Sequence, residues 1–190
     1  MKKVIIPIIC LSFLFAGNGK SFTVDVENTS LRWKGVKVTG SHWGYVTMKE
    51  GTVTMEGKNI LAGNFSVELS SMTEESMGDS PWKPKLLNHL KSDDFFDVAN
   101  HPTAHLKLAN AVYNQGAFLI QGDLTIRGIT HSVEFPAVIR FSDLGPRATG
   151  QLKIDRTKYN MKFRSGKFFP EIGDKMIFDE FTVNFDVKAK

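Results

Sequence analysis

Residues 118–141 read FLIQGDLTIRGITHSVEFPAVIRF, and their pattern decides the fold class. Up to Arg127 apolar residues alternate with polar ones, and a second alternating run extends from Val133 to Phe141. Alternation with a period of two places the apolar side chains on one face of a β-strand. Only the turn-forming residues 127–130 separate the two runs, and a connection this short joins antiparallel strands. We therefore predict a β-hairpin with one apolar face.

The same alternation recurs along most of the chain. The runs are residues 22–27, 65–69, 106–108, 118–127, 133–141, 152–154 and 181–187, with turns at Gly57, Gly116, Gly128 and Gly145 between them. About eight strands, each with one apolar face, can hide that face by closing into a barrel. We therefore predict an all-β fold, an eight-stranded antiparallel up-and-down barrel. Breaks in the alternation at Gly35 and between Phe178 and Phe181 predict bulges or bends.

Residues 72–102 depart from this pattern. One apolar helical face is formed by residues spaced four apart, Trp82, Leu86 and Leu90. This spacing is typical of an amphipathic helix, and Pro84 suits the first helical turn, where its missing N–H costs nothing. Ser92 is predicted to cap a second short turn. The sequence therefore predicts a short helical insertion around residues 84–97.

The chain begins MKKVIIPIICLSFLFAGNGK, which has the lysines, apolar run and small residues of a secretory signal peptide. The apolar run is too short to span a bilayer as a stable helix. We expect residues 1–19 to be the signal peptide and residues 20–190 to form one domain. Cys10 follows Ile9, where a lipoprotein signal would have a small residue, so an ordinary signal peptide is favoured. The protein is expected to be periplasmic or secreted.

Charge and cysteine content exclude some classes of function. The formal net charge is +4, and removal of residues 1–19 takes away two lysines and no acid, which leaves +2. Nucleic-acid binding needs clustered Lys and Arg on one surface, so no nucleic-acid partner is expected. Cys10 is the only cysteine, and without it the mature chain forms no disulfide.

Residues that could carry chemistry are concentrated in the helical insertion and just after it. The acids are Asp93, Asp94 and Asp97. Such a cluster could form an acid–base pair or a calcium site, but acids after Ser92 also suit a helix start. His101 and His105 have the spacing of helical zinc ligands, but Pro102 prevents a shared helix. No metal or cofactor is therefore expected, and an enzyme that uses these histidines with Asp93 on a small apolar substrate stays an alternative.

Phenylalanine is abundant, at 15 of 190 residues, and many of these residues lie on apolar strand faces. An eight-stranded barrel either fills its interior with such side chains or holds one apolar ligand there. The first case would be a structural or stress-related interaction module with a packed interior. The second would be a carrier. Because motifs for a nucleophile, a phosphate loop or a dinucleotide are absent, we favour binding.

Five stretches of the chain are similar, in sequence and in order, to one known family. They are WKGVKVTGSHWGYVTMKEGTV (33–53), HLKSDDFFDVANHPTA (89–104), GDLTIRGITHSVEFPAVI (122–139), KIDRTKYNMKF (153–163) and IGDKMIFDEFTVNFDVKA (172–189). They resemble the YceI-like family, exported lipocalin-like barrels that bind polyisoprenoid or other long-chain lipids. The resemblance implies a ligand inside the barrel and an architectural role for the helical insertion. Two stretches depart from it: Tyr159-Asn160 replaces a common Phe-Gly, and residues 72–83 look like a variable insert.

The strand faces and the resemblance together predict the ligand contacts. The ligand is expected to be an isoprenoid quinone, polyprenyl lipid or fatty amide, held for storage or transport. Predicted contacts with its tail are Phe65, Leu106, Leu108, Phe118, Ile120, Leu124, Ile126, Phe135, Ile139 and Phe181. Arg127 and Arg156 are candidates for an anionic or quinone head group, although a surface salt bridge is the favoured role of each. Transient membrane contact and a homodimer are compatible with an exposed apolar rim or unpaired strand edges.

Overall fold

The computed structural model describes residues 19–190, so nearly all of the predicted signal peptide lies outside the described residues. The elements are β1 (Lys20–Thr23), β2 (Ser30–Lys37), β3 (Gly40–Glu56), β4 (Asn59–Glu68), α1 (Lys83–Lys91), β5 (Thr103–Asn114), β6 (Ala117–Ile126), β7 (Ile129–Ser142), β8 (Gly145–Asp155) and β9 (Glu180–Lys188). Short 3-10 turns lie at Val26–Asn28, Leu69–Ser71, Arg156–Tyr159 and Pro170–Lys175. No helix in this part of the chain is long and apolar enough to cross a membrane.

Eight of the strands, β2 to β9, close into a barrel. Neighbours are antiparallel in the order β3-β2-β9-β8-β7-β6-β5-β4, and the pairing of β4 with β3 closes the ring. All neighbours except β9 and β2 are consecutive in the chain, so the topology is up-and-down. The predicted fold class is confirmed. β1 pairs with Thr52–Met55 in the second half of β3, beyond the residues of β3 that pair with β2.

Two-residue turns shape the meander. Gln115-Gly116 joins β5 to β6, and Arg127-Gly128 joins β6 to β7; all four residues have positive φ, between 47° and 95°. Turns of this kind match the right-handed twist of the strands that they connect. The register shifts lie between Met48 and Glu50, Thr54 and Met55, and Leu108 and Asn110. The ladder between β2 and β3 runs through Gly35 without a shift. The ladder between β2 and β9 stops at Lys34 opposite Thr182, and the bridge of Lys37 with Ile177 is out of register with it, so the predicted irregularities at Gly35 and between Phe178 and Phe181 lie on this side.

Both long connections lie at the same end of the barrel. Residues 69–102 join β4 to β5, and residues 156–179 join β8 to β9. In an up-and-down barrel alternate connections share an end, so these two lie beside the β2–β3 and β6–β7 turns. We call this the helical end. The opposite end, with the turns at residues 57–58, 115–116 and 143–144, is the hairpin end.

The helical insertion is confirmed in kind but differs in detail. α1 ends at Lys91, and tight turns follow it rather than a second helix. The Ser92 hydroxyl donates a hydrogen bond to the carbonyl of His89 (2.8 Å), so Ser92 ends α1 and its predicted role as an N-cap is wrong. The amides of Phe95 and Asp97 both donate to the Ser92 carbonyl (3.1 and 2.8 Å), which reverses the chain towards β5.

The segment after β4 extends the barrel wall beside the start of β3. The Thr73 amide donates to the Tyr45 carbonyl (2.9 Å), and the Glu75 amide donates to the Trp43 carbonyl (2.8 Å). These bonds satisfy backbone carbonyls in the part of β3 that lies beyond its pairing with β4. Gly44 lies between them, and a Cβ at this position would clash with the Thr73 carbonyl. Glycine is therefore needed here for close approach of two backbones.

Replacing Gly44 with alanine is expected to destabilise the protein. The added methyl group displaces the segment at Thr73, and such overpacking costs about 1–3 kcal/mol. Gly35→Ala is the matched control, because a Cβ at Gly35 meets nothing within 4 Å. Urea unfolding should show a lower free energy of unfolding for Gly44→Ala and little change for the control. Equal values for the two variants would contradict the close approach.

Candidate functional site

The barrel encloses a cavity of about 210 Å³ whose wall is apolar throughout. All eight strands of the ring contribute inward side chains to it, and connections at both ends add a few more. Since no polar side chain of residues 19–190 borders the cavity, these residues supply no group there for proton transfer or metal binding. It can hold an apolar ligand, because burial of apolar surface drives binding without polar contacts.

Nine of the ten predicted tail contacts border this cavity. They are Phe65, Leu106, Leu108, Ile120, Leu124, Ile126, Phe135, Ile139 and Phe181. Phe118 is buried but does not border the cavity; its ring packs edge-on against Tyr113 and Phe141, with centroids 5.1 and 6.1 Å away. Phe118 is thus a core residue of β6. Contact of the other nine with a ligand stays a prediction.

Several residues that border the cavity were not predicted from the sequence. Leu31 and Trp33 on β2 alternate in the same way as the predicted residues, so the same signal was present there. Met72 and Phe96 reach the cavity from the helical insertion, where no strand periodicity marks them. The indole N–H of Trp33 donates to the Thr73 carbonyl (3.0 Å), which joins β2 to the insertion.

A second pocket of about 110 Å³ lies at the helical end. Its wall includes Leu86 and Leu90 of α1 on one side and Ile177 and Phe178 on another. Four side chains border both this pocket and the main cavity: Trp33, Met72, Phe96 and Phe181. Phe178 is 46% exposed, so the pocket reaches the surface. The helical-end pocket therefore lies between the main cavity and solvent.

Arg156 is buried, although a surface position was predicted for it. It is only 3% exposed. Its guanidinium donates to the carbonyls of Met161 (2.6 Å), Ile177 (2.9 Å) and Phe178 (3.1 Å) and lies 3.4 Å from the Asp179 carboxylate. The predicted salt bridge is thus present, with Asp179, but the predicted surface position of Arg156 is wrong. Arg156 binds together the long β8–β9 connection and borders the helical-end pocket, not the main cavity.

Arg127 also bonds to backbone carbonyls. Its Nη1 donates to the carbonyls of Phe95 (2.8 Å) and Asn160 (3.4 Å), which ties the β6–β7 turn to both long connections. No carboxylate lies within ion-pair distance of it in residues 19–190, so the predicted surface salt bridge is wrong for Arg127. It borders neither pocket. Either arginine could bind a ligand head group only by giving up its hydrogen bonds to backbone carbonyls.

A buried carboxylate organises the edge of the helical-end pocket. Glu74 is fully buried and accepts hydrogen bonds from the Ser76 amide and hydroxyl and from the Met77 amide. Burial raises the pKa of Glu74, but these hydrogen bonds and nearby His42 outweigh burial and hold the pKa below its usual value of 4.5. Nδ1 of His42 lies 3.0 Å from the Ser76 hydroxyl and 3.5 Å from Glu74.

This cluster does not have the geometry of a catalytic triad. In a triad the histidine is the base, and the nucleophile and the orienting acid contact its opposite nitrogens. Here Ser76 and Glu74 both approach Nδ1 of His42, and the serine hydroxyl donates to the glutamate. The cluster therefore fixes the turn after Thr73.

The acids and histidines of the enzyme hypothesis have separate local partners. The pairs are Asp94 with His89 (2.9 Å), Asp97 with His101 (3.8 Å) and Thr103 with His105 (2.9 Å). Asp93 is exposed. Within residues 19–190 no group of three or more His, Cys, Asp or Glu residues is placed to hold a metal ion. The described side chains thus form ion pairs and hydrogen bonds within the insertion.

Comparison with known proteins assigns the family. The YceI-like domain matches residues 22–189. The chain belongs to the YceI-like family. Similar curated proteins are Protein YceI of Escherichia coli O6:H1, 26% identical over 144 residues, and Protein YceI of Shigella flexneri, 25% identical over 144 residues. Each alignment covers 72% of this YceI-like chain and 72% of the relative.

Solved structures of low sequence identity share the barrel. BcnA of Burkholderia cenocepacia superposes with a TM-score of 0.70 at 16% identity and covers 88% of this chain and 99% of its own. A polyisoprenoid binding domain from Saccharophagus degradans, implicated in plant cell wall breakdown, has a TM-score of 0.63 at 12% identity, with 89% and 97% covered. At these identities the likeness shows the fold.

The two departures from the family pattern are accommodated differently. Asn160, where glycine is common, has φ of 61° and ends the 3-10 turn Arg156–Tyr159. Asparagine tolerates this left-handed conformation better than other non-glycine residues, so the turn is kept. The variable stretch at residues 72–83 contributes Met72 to the cavity wall and Glu74 to the buried cluster.

Stability is expected to depend on pH through Glu74. Its pKa is lowered in the folded protein, so its contribution is present above pH 4.5 and is lost as pH falls through the folded-state value. Glu74→Gln should therefore lower the free energy of unfolding at neutral pH by about 1.5–3 kcal/mol, the usual size for hydrogen bonds to a charged group. The difference from wild type should shrink in acid.

Glu75→Gln is the matched control for this measurement, because Glu75 is exposed. Chemical unfolding of all three proteins at neutral and acidic pH gives the comparison. A Glu74→Gln deficit that is constant with pH would show that the carboxylate charge is not what stabilises the turn.

Proposed function

We propose that this YceI-like protein is an exported carrier that holds a long apolar ligand inside its barrel for storage or transport. The observation that carries the proposal is the main cavity, whose wall consists of apolar side chains alone. The Saccharophagus degradans domain with a similar barrel is described as polyisoprenoid-binding, which supports a polyprenyl lipid or an isoprenoid quinone. A fatty amide has the same long apolar character. The signal-peptide pattern of residues 1–19 supports export to the periplasm or outside.

Hydrophobic burial would supply most of the affinity. Each Å² of apolar surface removed from water contributes roughly 25 cal/mol, so a long tail binds without polar contacts. The adjoining helical-end pocket would receive the part of the ligand nearest the head group, since it reaches the surface beside Lys37 and His42. Tail length would then be selected by the barrel, and the head group by the helical end.

The other two classes of function have less support. An enzyme would need a polar group at the substrate, whereas no titratable side chain borders the main cavity in the described part of the chain. A scaffold with a packed interior would have no void of about 210 Å³. A homodimer stays a prediction, and neither pocket depends on it.

Mass spectrometry of an organic extract from purified protein tests the proposal directly. The expected result is a polyprenyl lipid, quinone or fatty amide at near one molecule per protein. If repeated extracts contain no such lipid, delipidated protein is mixed with a polyprenyl alcohol and with a ubiquinone. Failure to take up either one as well would refute the carrier role.

Filling the cavity is expected to abolish lipid binding. Ala148 borders the cavity from β8, so Ala148→Phe places an aromatic ring in the space for the tail. Val138→Phe is the matched control, because Val138 is 44% exposed on the neighbouring strand and the new ring points into solvent. Uptake should be lost in the first variant and kept in the second.

Circular dichroism confirms that both variants are folded before uptake is measured. Ala148→Leu is the second choice if the phenylalanine disrupts the barrel, and it should weaken binding in proportion to the space that it fills. Normal uptake by a folded Ala148→Phe protein would show that the tail does not lie in this cavity.

A further inference from the structure

Large aromatic side chains are exposed around the helical end. Trp82 at the start of α1 is 63% exposed, Phe169 is 50% exposed and Phe168 is 40% exposed. Phe178, which borders the helical-end pocket, belongs to the same end. Several large apolar side chains exposed at one end of a protein indicate an interaction surface. We call Trp82, Phe168, Phe169 and Phe178 the aromatic rim.

Cations accompany this aromatic rim. Lys162 and Lys167 lie over the ring of Phe168, with Nζ 5.0 and 5.8 Å from its centroid, and Lys85 lies 5.4 Å from the ring of Trp82. Within residues 19–190 none of these three lysines has a carboxylate within ion-pair distance. Residues 161–170 contain three basic residues and no acid. The rings of Trp82 and Phe168 therefore have lysines beside them that form no short ion pair, although Lys167 is also attracted to the carboxylate of Asp155.

Two acids of the same end are neutralised within the protein. The pairs are Glu75 with Lys83 (3.7 Å) and Asp179 with Arg156 (3.4 Å). Glu171 and Asp174 are exposed on the 3-10 turn that follows Phe169, and Asp79 and Asp93 are exposed on either side of α1. The stretch of positive charge without an acid is thus confined to the turn at residues 162–169.

The turn that presents Phe168 and Phe169 is held rigidly beside the pocket. Ser165 is fully buried, and its carbonyl accepts hydrogen bonds from the amides of Phe168 (3.1 Å) and Phe169 (2.8 Å). The carbonyl of Arg164 accepts from the amide of Ile177 (2.9 Å), and Ile177 borders the helical-end pocket. The aromatic rim is therefore joined through the backbone to the wall of the pocket.

We propose that the helical end docks on an anionic phospholipid bilayer, with the aromatic rim in the interface and the lysines at the lipid phosphates. Aromatic residues favour the membrane interface, and lysines near an anionic surface add electrostatic attraction. Docking in this orientation points the helical-end pocket at the bilayer, so a lipid could enter or leave the barrel without crossing water. The purpose of docking rests on the proposed carrier function, whereas docking itself is measured independently.

The hairpin end supplies an internal comparison. It also exposes apolar side chains, notably Leu144 (84%) and Tyr113 (65%). In the part of the chain that the structure describes, no lysine or arginine is stacked on Tyr113. Tyr113→Ser with Leu144→Ser therefore removes exposed apolar surface without touching the proposed membrane face.

Vesicle flotation tests the proposal with mature protein. Binding is expected to vesicles of phosphatidylcholine with phosphatidylglycerol and to be weak with phosphatidylcholine alone. Each lysine removed in Lys162→Gln/Lys167→Gln should weaken binding roughly fivefold. Phe168→Ser/Phe169→Ser should also weaken it, whereas the hairpin-end double variant should bind like wild type. Equal binding to both vesicle types, or an equal loss in the hairpin-end variant, would overturn the proposal.

Tryptophan fluorescence gives a second measurement. The chain has three tryptophans, and a blue shift on addition of anionic vesicles that disappears in Trp82→Phe would place Trp82 in the interface. Uptake of a polyprenyl alcohol from micelles, without vesicles, separates the two proposals. A protein that takes up the alcohol but does not float with anionic vesicles overturns the docking inference and leaves the carrier role intact. A protein that floats with anionic vesicles but does not take up the alcohol overturns the carrier role and leaves the docking inference intact.

Discussion

The pairing of β2 with β9, the first and last strands of the ring, is the interaction on which the rest of the structure depends. It extends from Ser30 opposite Asp186 to Lys34 opposite Thr182 and turns an open meander into a ring. Once the ring is closed, its strands have no unpaired edge between neighbours, and the alternating side chains divide into an inside and an outside. The apolar cavity is a consequence of this closure, because each strand then turns its apolar face to a common interior.

Most of the fold could be predicted from local patterns in the sequence. Alternation in residues 118–141 predicted two strands, and the Arg127-Gly128 turn between them has the positive φ values that glycine and short turns favour. The prediction for Ser92 failed because a serine next to a helix can end that helix as well as start the following turn. Its hydroxyl contacts the His89 carbonyl at the end of α1 rather than the start of another helix.

The site was predictable where it is built from strands. Nine apolar residues placed inside by phase alone do border the cavity, whereas Phe118 lies nearer the hairpin end, where rings pack on one another. Long connections supply Met72 and Phe96, and no period marks a residue whose position is set by a loop. Arginine roles were equally hidden, since the partners of Arg156 are backbone carbonyls of residues 161, 177 and 178, and carbonyls have no sequence signature.

Four side chains, Trp33, Met72, Phe96 and Phe181, stand between the main cavity and the helical-end pocket. Trp33 is anchored by its hydrogen bond to Thr73, while methionine is an unbranched side chain that changes rotamer easily. A ligand that extends from the main cavity into the helical-end pocket has to displace Met72, Phe96 and Phe181, while the hydrogen-bonded indole of Trp33 stays in place. The rate of ligand entry would then be set by the rotation of a few side chains, and the strands of the barrel could stay paired throughout.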